Sequence, residues 1–261
     1  HSHYDDKSFD SDRDEILGGL FAKGIGKVVD VGADMPSSKM ALELAKQYEF
    51  VYAALGVHPS EVEGLTEDDM AWISSHAAHE KVAAIGEIGL DYHWPEPKPA
   101  LQKQWFRRQI ELAKEVKLPI IVHSRDAAEP TMQIIQETKS YECGVVIHCY
   151  SYSPEMAEEY VKMGFFIGMG GVLTFKNAKK LVRCAERIPL SSIVLETDCP
   201  YMAPEPYRGR RNDSRYVPLV AAKIAALRGL TPEEAGALTA ANARRLFRIS
   251  DGEEGIPCVT P

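Results

Sequence analysis

What most constrains the fold is one kind of segment that keeps returning. Seven apolar, β-branched runs, "KVVDVGAD", "FVYAALGVHP", "VAAIGEIGLD", "LPIIVHSRD", "CGVVIHCYS", "FFIGMGG" and "SIVLETDCP", each give way to a Gly, Pro or polar loop and then to a helical pattern. Near-continuous hydrophobic runs mark parallel strands buried on both faces, because a strand with one wet face would alternate. The runs recur at intervals of about 20 to 37 residues, the length of a βα unit. Seven such units fit a doubly wound sheet or a barrel short of one strand. A helical segment, "SFDSDRDEILGGLFAKG", precedes the first run, and in a barrel strand one would feed it. The expectation is an α/β (β/α)8 TIM barrel with its first strand truncated or upstream of residue 1. One domain then spans residues 1–249, and residues 250–261, which lack periodicity, form an irregular C-terminal tail.

The intervening segments carry helix signals. "TEDDMAWISSHA" and "TPEEAGALTAANARRLFRI" both place Thr ahead of acids, as helix N-termini prefer, and the second reads as a capping box from Thr231. "ALQKQWFRRQIELAKEVK" has helical apolar spacing and a basic last turn, and its aromatic stretch reads as barrel packing.

Polar residues keep to one phase of this repeat. His58, Glu87, His123, His148 and Asp198 each fall near the C-terminal end of an apolar run, across about 140 residues. In a (β/α)8 barrel those ends meet on one face, where active sites are built. A terminal His-x-His taken alone is more often a tag or coincidence than a metal site. At the end of a first strand, however, His1 and His3 share parity and face the same mouth. By the same rule His123 pairs with Arg125, His148 with Tyr150, and Glu196 with Asp198, whereas Cys149 and Cys199 have opposite parity and read as packing residues. Four imidazoles and two carboxylates exceed one four-coordinate ion and suit two ions sharing a carboxylate. Glu87 in "GEIGLD" is hard to place without a cation, because an unpaired carboxylate in an apolar strand is costly.

Composition narrows the classes. The five cysteines are scattered without a C-x-x-C pair, which fits a reducing cytoplasm and argues against a disulfide framework or a thiolate zinc site. A net charge of −8 counts against a wide nucleic-acid-binding surface but not against an enzyme holding a few phosphates through metal ions and a local basic patch. No apolar run approaches the roughly 18–20 residues of a membrane span. A cytoplasmic protein with no membrane association and no obligate protein partner is expected.

"HSHYDD", "LGVHP", "AIGEIGLDY", "PIIVHSRDA", "VIHCYS", "GFFIGMGG" and "LETDCPYMAP", in that order over residues 1 to about 248, resemble the TatD family of metal-dependent deoxyribonucleases, among the amidohydrolase-like TIM-barrel hydrolases. The resemblance implies that His1, His3, Glu87 and Asp198 bind one divalent ion and that Glu87, His123 and His148 bind a second, with Glu87 bridging. It implies catalytic roles for Glu87 and for Asp198, which would orient or deprotonate the attacking water. His58, Arg125, Tyr150 and Glu196 match positions around the mouth that touch substrate or hold the ligands. The implied chemistry is 3′–5′ trimming of single-stranded DNA or DNA ends, with Mg²⁺ the expected ion and Mn²⁺ or Zn²⁺ alternatives. Ester or amide hydrolysis on the same barrel, such as removal of a D-amino acid from charged tRNA, is the competing activity. Many relatives carry Asn-Glu-Pro in the loop after the last strand, where this chain reads "RRNDSRYVP" and keeps only Asn212. Arg208, Arg210, Arg211 and Arg215 crowd that loop, and Arg208 and Arg210 are expected to bind phosphate.

Overall fold

The computed structural model describes residues 1–250, so the expected tail lies outside the described residues from 251 onward. All seven apolar runs are strands: β1 (Val28–Val31), β2 (Val51–Leu55), β3 (Val82–Asp91), β4 (Ile120–Arg125), β5 (Val145–Ile147), β6 (Phe166–Met169) and β7 (Ile193–Leu195). They lie in one parallel sheet in chain order. Helices α1 (Arg13–Gly19), α2 (Met35–Gln47), α3 (Glu67–His76), α4 (Pro99–Val116), α5 (Ala128–Glu137), α6 (Pro154–Lys162), α7 (Lys179–Arg187), α8 (Val217–Arg228) and α9 (Pro232–Phe247) alternate with the strands and follow the last. Thr66 and Thr231 each complete a capping box, with Asp69 and Glu234, so both starts fall where the Thr-acid pattern places them.

The sheet curls until its edges are joined through one residue. Ser2 makes isolated parallel bridges to Asp30 and to Cys199. Its N–H donates to the Val29 carbonyl at 3.0 Å and its carbonyl accepts from Val31 at 2.8 Å, while His3 N–H donates to Cys199 at 2.9 Å. The expected eight strands are therefore not reached among the described residues. Seven are present, and residues 1–3 occupy the gap between β1 and the segment after β7 as bridges rather than as a regular strand.

Every strand sends a side chain inward. Val29, Val31, Ala54, Ala84, Ile121, Val146, Phe166 and Val194 form one buried cluster, closed by Leu246 of α9. Their neighbours along each strand, such as Leu55, Ile85, Val122, Ile147 and Ile167, pack outward against the helices. This two-sided burial is why the strands read as continuous apolar runs.

Glu87 is not at a strand end. It is sixth in the ten-residue β3, which continues to Asp91 beyond a register irregularity between Ile85 and Ile88. Gly89 permits that continuation: its φ is +149°, and a Cβ there would lie 1.9 Å from the His123 carbonyl oxygen. β3 and β4 can then approach closely where both carry polar side chains.

Candidate metal centre

The mouth of the barrel gathers the expected six side chains. Glu87 is nearly buried, and its two oxygens face different imidazole pairs. Oε2 lies 3.6 Å from His1 Nε2 and 3.9 Å from His3 Nε2. Oε1 lies 2.8 Å from His123 Nδ1 and 3.5 Å from His148 Nε2. Asp198 Oδ1 stands 3.4 Å from His3 Nε2, 3.5 Å from His148 Nε2 and 3.8 Å from His1 Nε2. His1 and His3 bring their Nε2 atoms to 3.1 Å of each other, and the His1 ring stacks on His148 at 3.8 Å.

Three of the four imidazoles are aimed from behind. His3 Nδ1 meets the Val31 carbonyl at 2.7 Å, so Nε2 is left to face the cluster. His148 Nδ1 lies 3.0 Å from Glu196 Oε2, and Glu196 Oε1 accepts from the Cys149 N–H at 2.6 Å. His123 Nε2 lies 3.0 Å from Asp91 Oδ2. Such outer contacts fix tautomer and ring orientation.

The electrostatics are those of a cation site. Burial alone depresses an imidazolium, yet Asp198 and Glu87 hold His3 up at about 9, and Glu196, Glu87 and Asp198 hold His148 up at about 10. Burial raises a carboxyl, yet His148 and His123 keep Glu87 well below its ordinary value, and His148 and His3 keep Asp198 low. Protons on buried nitrogens thus supply the positive charge that the carboxylates require. Among the described residues His1 Nδ1 is buried without a hydrogen-bond partner. Converging neutral nitrogens and anionic oxygens suit a divalent ion. His1, His3 and Asp198 could hold one, and Glu87, His123 and His148 could hold another, the ligand atoms of each trio lying within 4.8 Å of one another.

The outlying candidates are placed less uniformly. His58 packs edge-on against His123 at 4.2 Å, and burial together with His123 lowers it to about 4, so it is neutral at pH 7. Arg125 is exposed at the end of β4. Tyr150 turns away from the mouth: it is buried, and its hydroxyl donates to the Ser153 carbonyl at 2.6 Å. Arg208 and Arg210 are exposed, stacked on Phe175 at 4.3 Å and near Tyr207 at 5.9 Å. Arg211 and Arg215 are committed elsewhere, to Asp12 and Asp213.

Two residues at the site escape the sequence reading. Asp91 shares the parity of Glu87 on β3, and that parity, extended four residues, is the signal that finds it. Cys149, expected to pack away from the mouth, faces it instead and groups with His148 and Asp198. Alternation ends with the strand: Cys149 has φ 45° and Asp198 φ 54°, both left-handed, so side-chain direction past β5 and β7 no longer follows period two. The same turn carries Tyr150 into the cluster packed between sheet and helices. Cys199 is fully buried, in accord with its expected packing role.

A curled parallel α/β sheet with a buried histidine–carboxylate cluster at its mouth is the framework of a metal-dependent hydrolase. The chain belongs to the TatD family, since the profile of the TatD related DNases matches residues 1–248. It is 46% identical to the "Uncharacterized metal-dependent hydrolase YabD" of Bacillus subtilis, over 96% of this chain and 98% of that one. It is 32% identical to the "3'-5' ssDNA/RNA exonuclease TatD" of Salmonella typhimurium, over 92% and 95% of the two chains. The crystal structure of YjjV, a TatD homologue from Escherichia coli K12, superposes with a TM-score of 0.90 at 30% identity, covering 96% of this chain and 97% of that one.

Proposed function

We propose that this hydrolase is a 3′–5′ exonuclease acting on single-stranded DNA through two divalent ions, Mg²⁺ in the first instance. The observation that carries the reading is the division of the Glu87 oxygens between two pairs of imidazoles, the arrangement a carboxylate shared by two ions requires. Ions held by His1, His3, Glu87, His123, His148 and Asp198 would supply positive charge against a developing phosphoryl oxyanion and make water more acidic.

The protein's own groups have separable tasks. Asp198 is the site carboxylate with the more open side chain, 16% exposed against 5% for Glu87, so it is the one positioned to accept a proton from attacking water at a carboxylate oxygen. Glu196 holds His148 from behind, and Asp91 holds His123. Neutral His58 and exposed Arg125 border the same opening, where they can contact the terminal nucleotide. The Salmonella relative's name, 3'-5' ssDNA/RNA exonuclease, supports the DNA reading and extends it to RNA.

The test is incubation of protein with Mg²⁺, Mn²⁺ or Zn²⁺ and a 5′-labelled single-stranded oligonucleotide, beside a panel of carboxylic esters and amides. A ladder descending from the 3′ end, abolished by chelator, is the expected result. Turnover confined to esters or amides would overturn the nuclease assignment.

A further inference from the structure

We propose that a groove on the outside of the barrel, between α7 and α8, binds the phosphodiester backbone of single-stranded nucleic acid several nucleotides away from the metal centre. The proposal rests on the exonuclease reading and adds a subsite that the catalytic cluster does not contain. The groove is a cavity of about 420 Å³ lined by Phe175, Lys176, Lys179, Arg183 and Lys223, with Glu186 the single acid. Among the described residues none of these four cations makes an ion pair, in contrast to Arg187 at the far end of α7, which is held by Glu155 and Glu158. In a chain of net charge −8, four unpaired cations around one cavity concentrate positive potential where the rest of the surface opposes it. Lys179 and Arg183 sit four apart on α7, one turn below the other. The α7 N-terminus adds to the field, because its cap residue Ala178 has no side-chain acceptor for the first-turn N–H groups.

A chain of contacts links groove and cluster. Cys149 Sγ lies 3.8 Å from Met202 Sδ. Gly171 packs so tightly on the Met202 carbonyl that a Cβ would come within 2.1 Å of it. The Glu205 N–H donates to Thr174 Oγ1 at 2.8 Å, and Arg208 lies over Phe175, both Thr174 and Phe175 being residues of the groove wall. The loops after β6 and β7 are therefore clasped together between the cluster and α7. A strand whose 3′ end enters the mouth would pass Arg208 and lay its upstream phosphates along Lys176, Lys179, Arg183 and Lys223. Charge-lined tracks of this kind bind single strands without regard to sequence and with strong salt dependence.

The experiment compares wild type, Lys179→Ala/Arg183→Ala, and Arg187→Ala as a control on the same helix. Binding of labelled oligothymidine of about sixteen nucleotides, the upper site size for a single-strand groove, is measured in chelator across a salt series. Hydrolysis of bis(p-nitrophenyl) phosphate and of a dinucleotide is measured with metal. Loss of two contacts should reduce the slope of log affinity against log salt by about 1.4, at about 0.7 per single-strand phosphate. KM for the long oligonucleotide should rise, while both small substrates and Arg187→Ala remain at wild-type values. If the small phosphodiesters are hydrolysed but the salt slope is the same in wild type and double variant, the groove is wrong and the phosphodiesterase reading stands. If no phosphodiester is hydrolysed with any ion, the exonuclease reading falls; a slope that still depends on Lys179 and Arg183 then sustains the groove as a binding site, and an unchanged slope removes it as well.

Discussion

His148 Nδ1 and Glu196 Oε2 stand 3.0 Å apart, and this contact decides where the other ring nitrogen points. Glu196 fits behind the ring because β6 has Gly168 at the crossing, where a Cβ would lie 2.5 Å from Glu196 Oε2. Glu196→Gln keeps the shape but weakens the acceptor that orients the imidazole. Metal affinity and turnover should each fall by about 10–100-fold, with the fold retained. Titration calorimetry with Mn²⁺ reads the first and oligonucleotide kinetics the second; wild-type affinity in this variant would deny Glu196 a positioning role.

Glu87 tests the number of ions. Its oxygens serve both imidazole pairs, so Glu87→Ala should reduce bound metal from two per chain to at most one and abolish hydrolysis of every phosphodiester. Elemental analysis after dialysis gives the count. Two tightly bound ions in this variant would remove the shared-carboxylate arrangement.

Asn212 acts on Asp198 through the backbone. Its Nδ2 donates to the carbonyls of Thr197 and Tyr201, each at 2.8 Å, and so braces the turn that holds Asp198 at φ 54°. Asn212→Ala leaves the Thr197 carbonyl buried and unpaired, at a cost of about 1–3 kcal/mol. A lower Tm with kcat reduced more than KM is expected. An Asn212→Asp variant restores shape but loses the donors, and it should behave like alanine.

The limits of the sequence follow from the same region. Strand positions are readable because burial on both faces produces uninterrupted apolar runs, and the cluster is readable because strand ends share one face, except that Glu87 lies within β3 rather than at its end. Period two served only as far as the strands themselves extend. Past β5 and β7 the left-handed residues Cys149 and Asp198 redirect the chain, which is why Cys149 joins the site and Tyr150 leaves it. Asn212 and Arg211 lie in a loop whose composition suggests phosphate binding, but their partners, Thr197 and Asp12, are about 15 and 199 residues away in sequence. No local pattern encodes such contacts.

That difference separates the loop arginines experimentally. Arg208 and Arg210 present exposed guanidinium groups over Phe175 and Tyr207, whereas Arg211 donates to Asp12 and to the Ser8 carbonyl. Arg208→Ala with Arg210→Ala should raise KM for oligonucleotides about two- to thirtyfold, at about 0.2–1 kcal/mol for each exposed ionic contact. Salt dependence should weaken in parallel. Arg211→Ala should instead lower Tm with little change in KM; unchanged kinetics in the double variant would take that loop out of substrate binding.

The paired histidines and carboxylates set opposite pH responses for metal-free and metal-loaded protein. His3 and His148 are raised from 6.5 to about 9 and about 10, so their contribution to metal-free stability is complete below pH 6.5 and is lost as pH climbs through those values. His58 works the other way: lowered from 6.5 to about 4, it must stay neutral, and stability falls as pH drops through that interval. The low carboxylates of Glu87 and Asp198 add to the acid loss. For these groups, metal-free Tm should peak near pH 6.5. The two divalent ions must displace the protons on His3 and His148, one at each site, so their affinity should rise with pH, with a slope of up to about one of these protons per ion below pH 9. Ligand stabilisation grows with affinity, so the Tm gap between Mn²⁺-loaded and chelator-treated protein should widen from pH 6 to 9. Thermal melts at matched ionic strength measure that gap directly. A gap independent of pH would mean that the ion does not compete with those protons, and it would place the binding site away from His3 and His148.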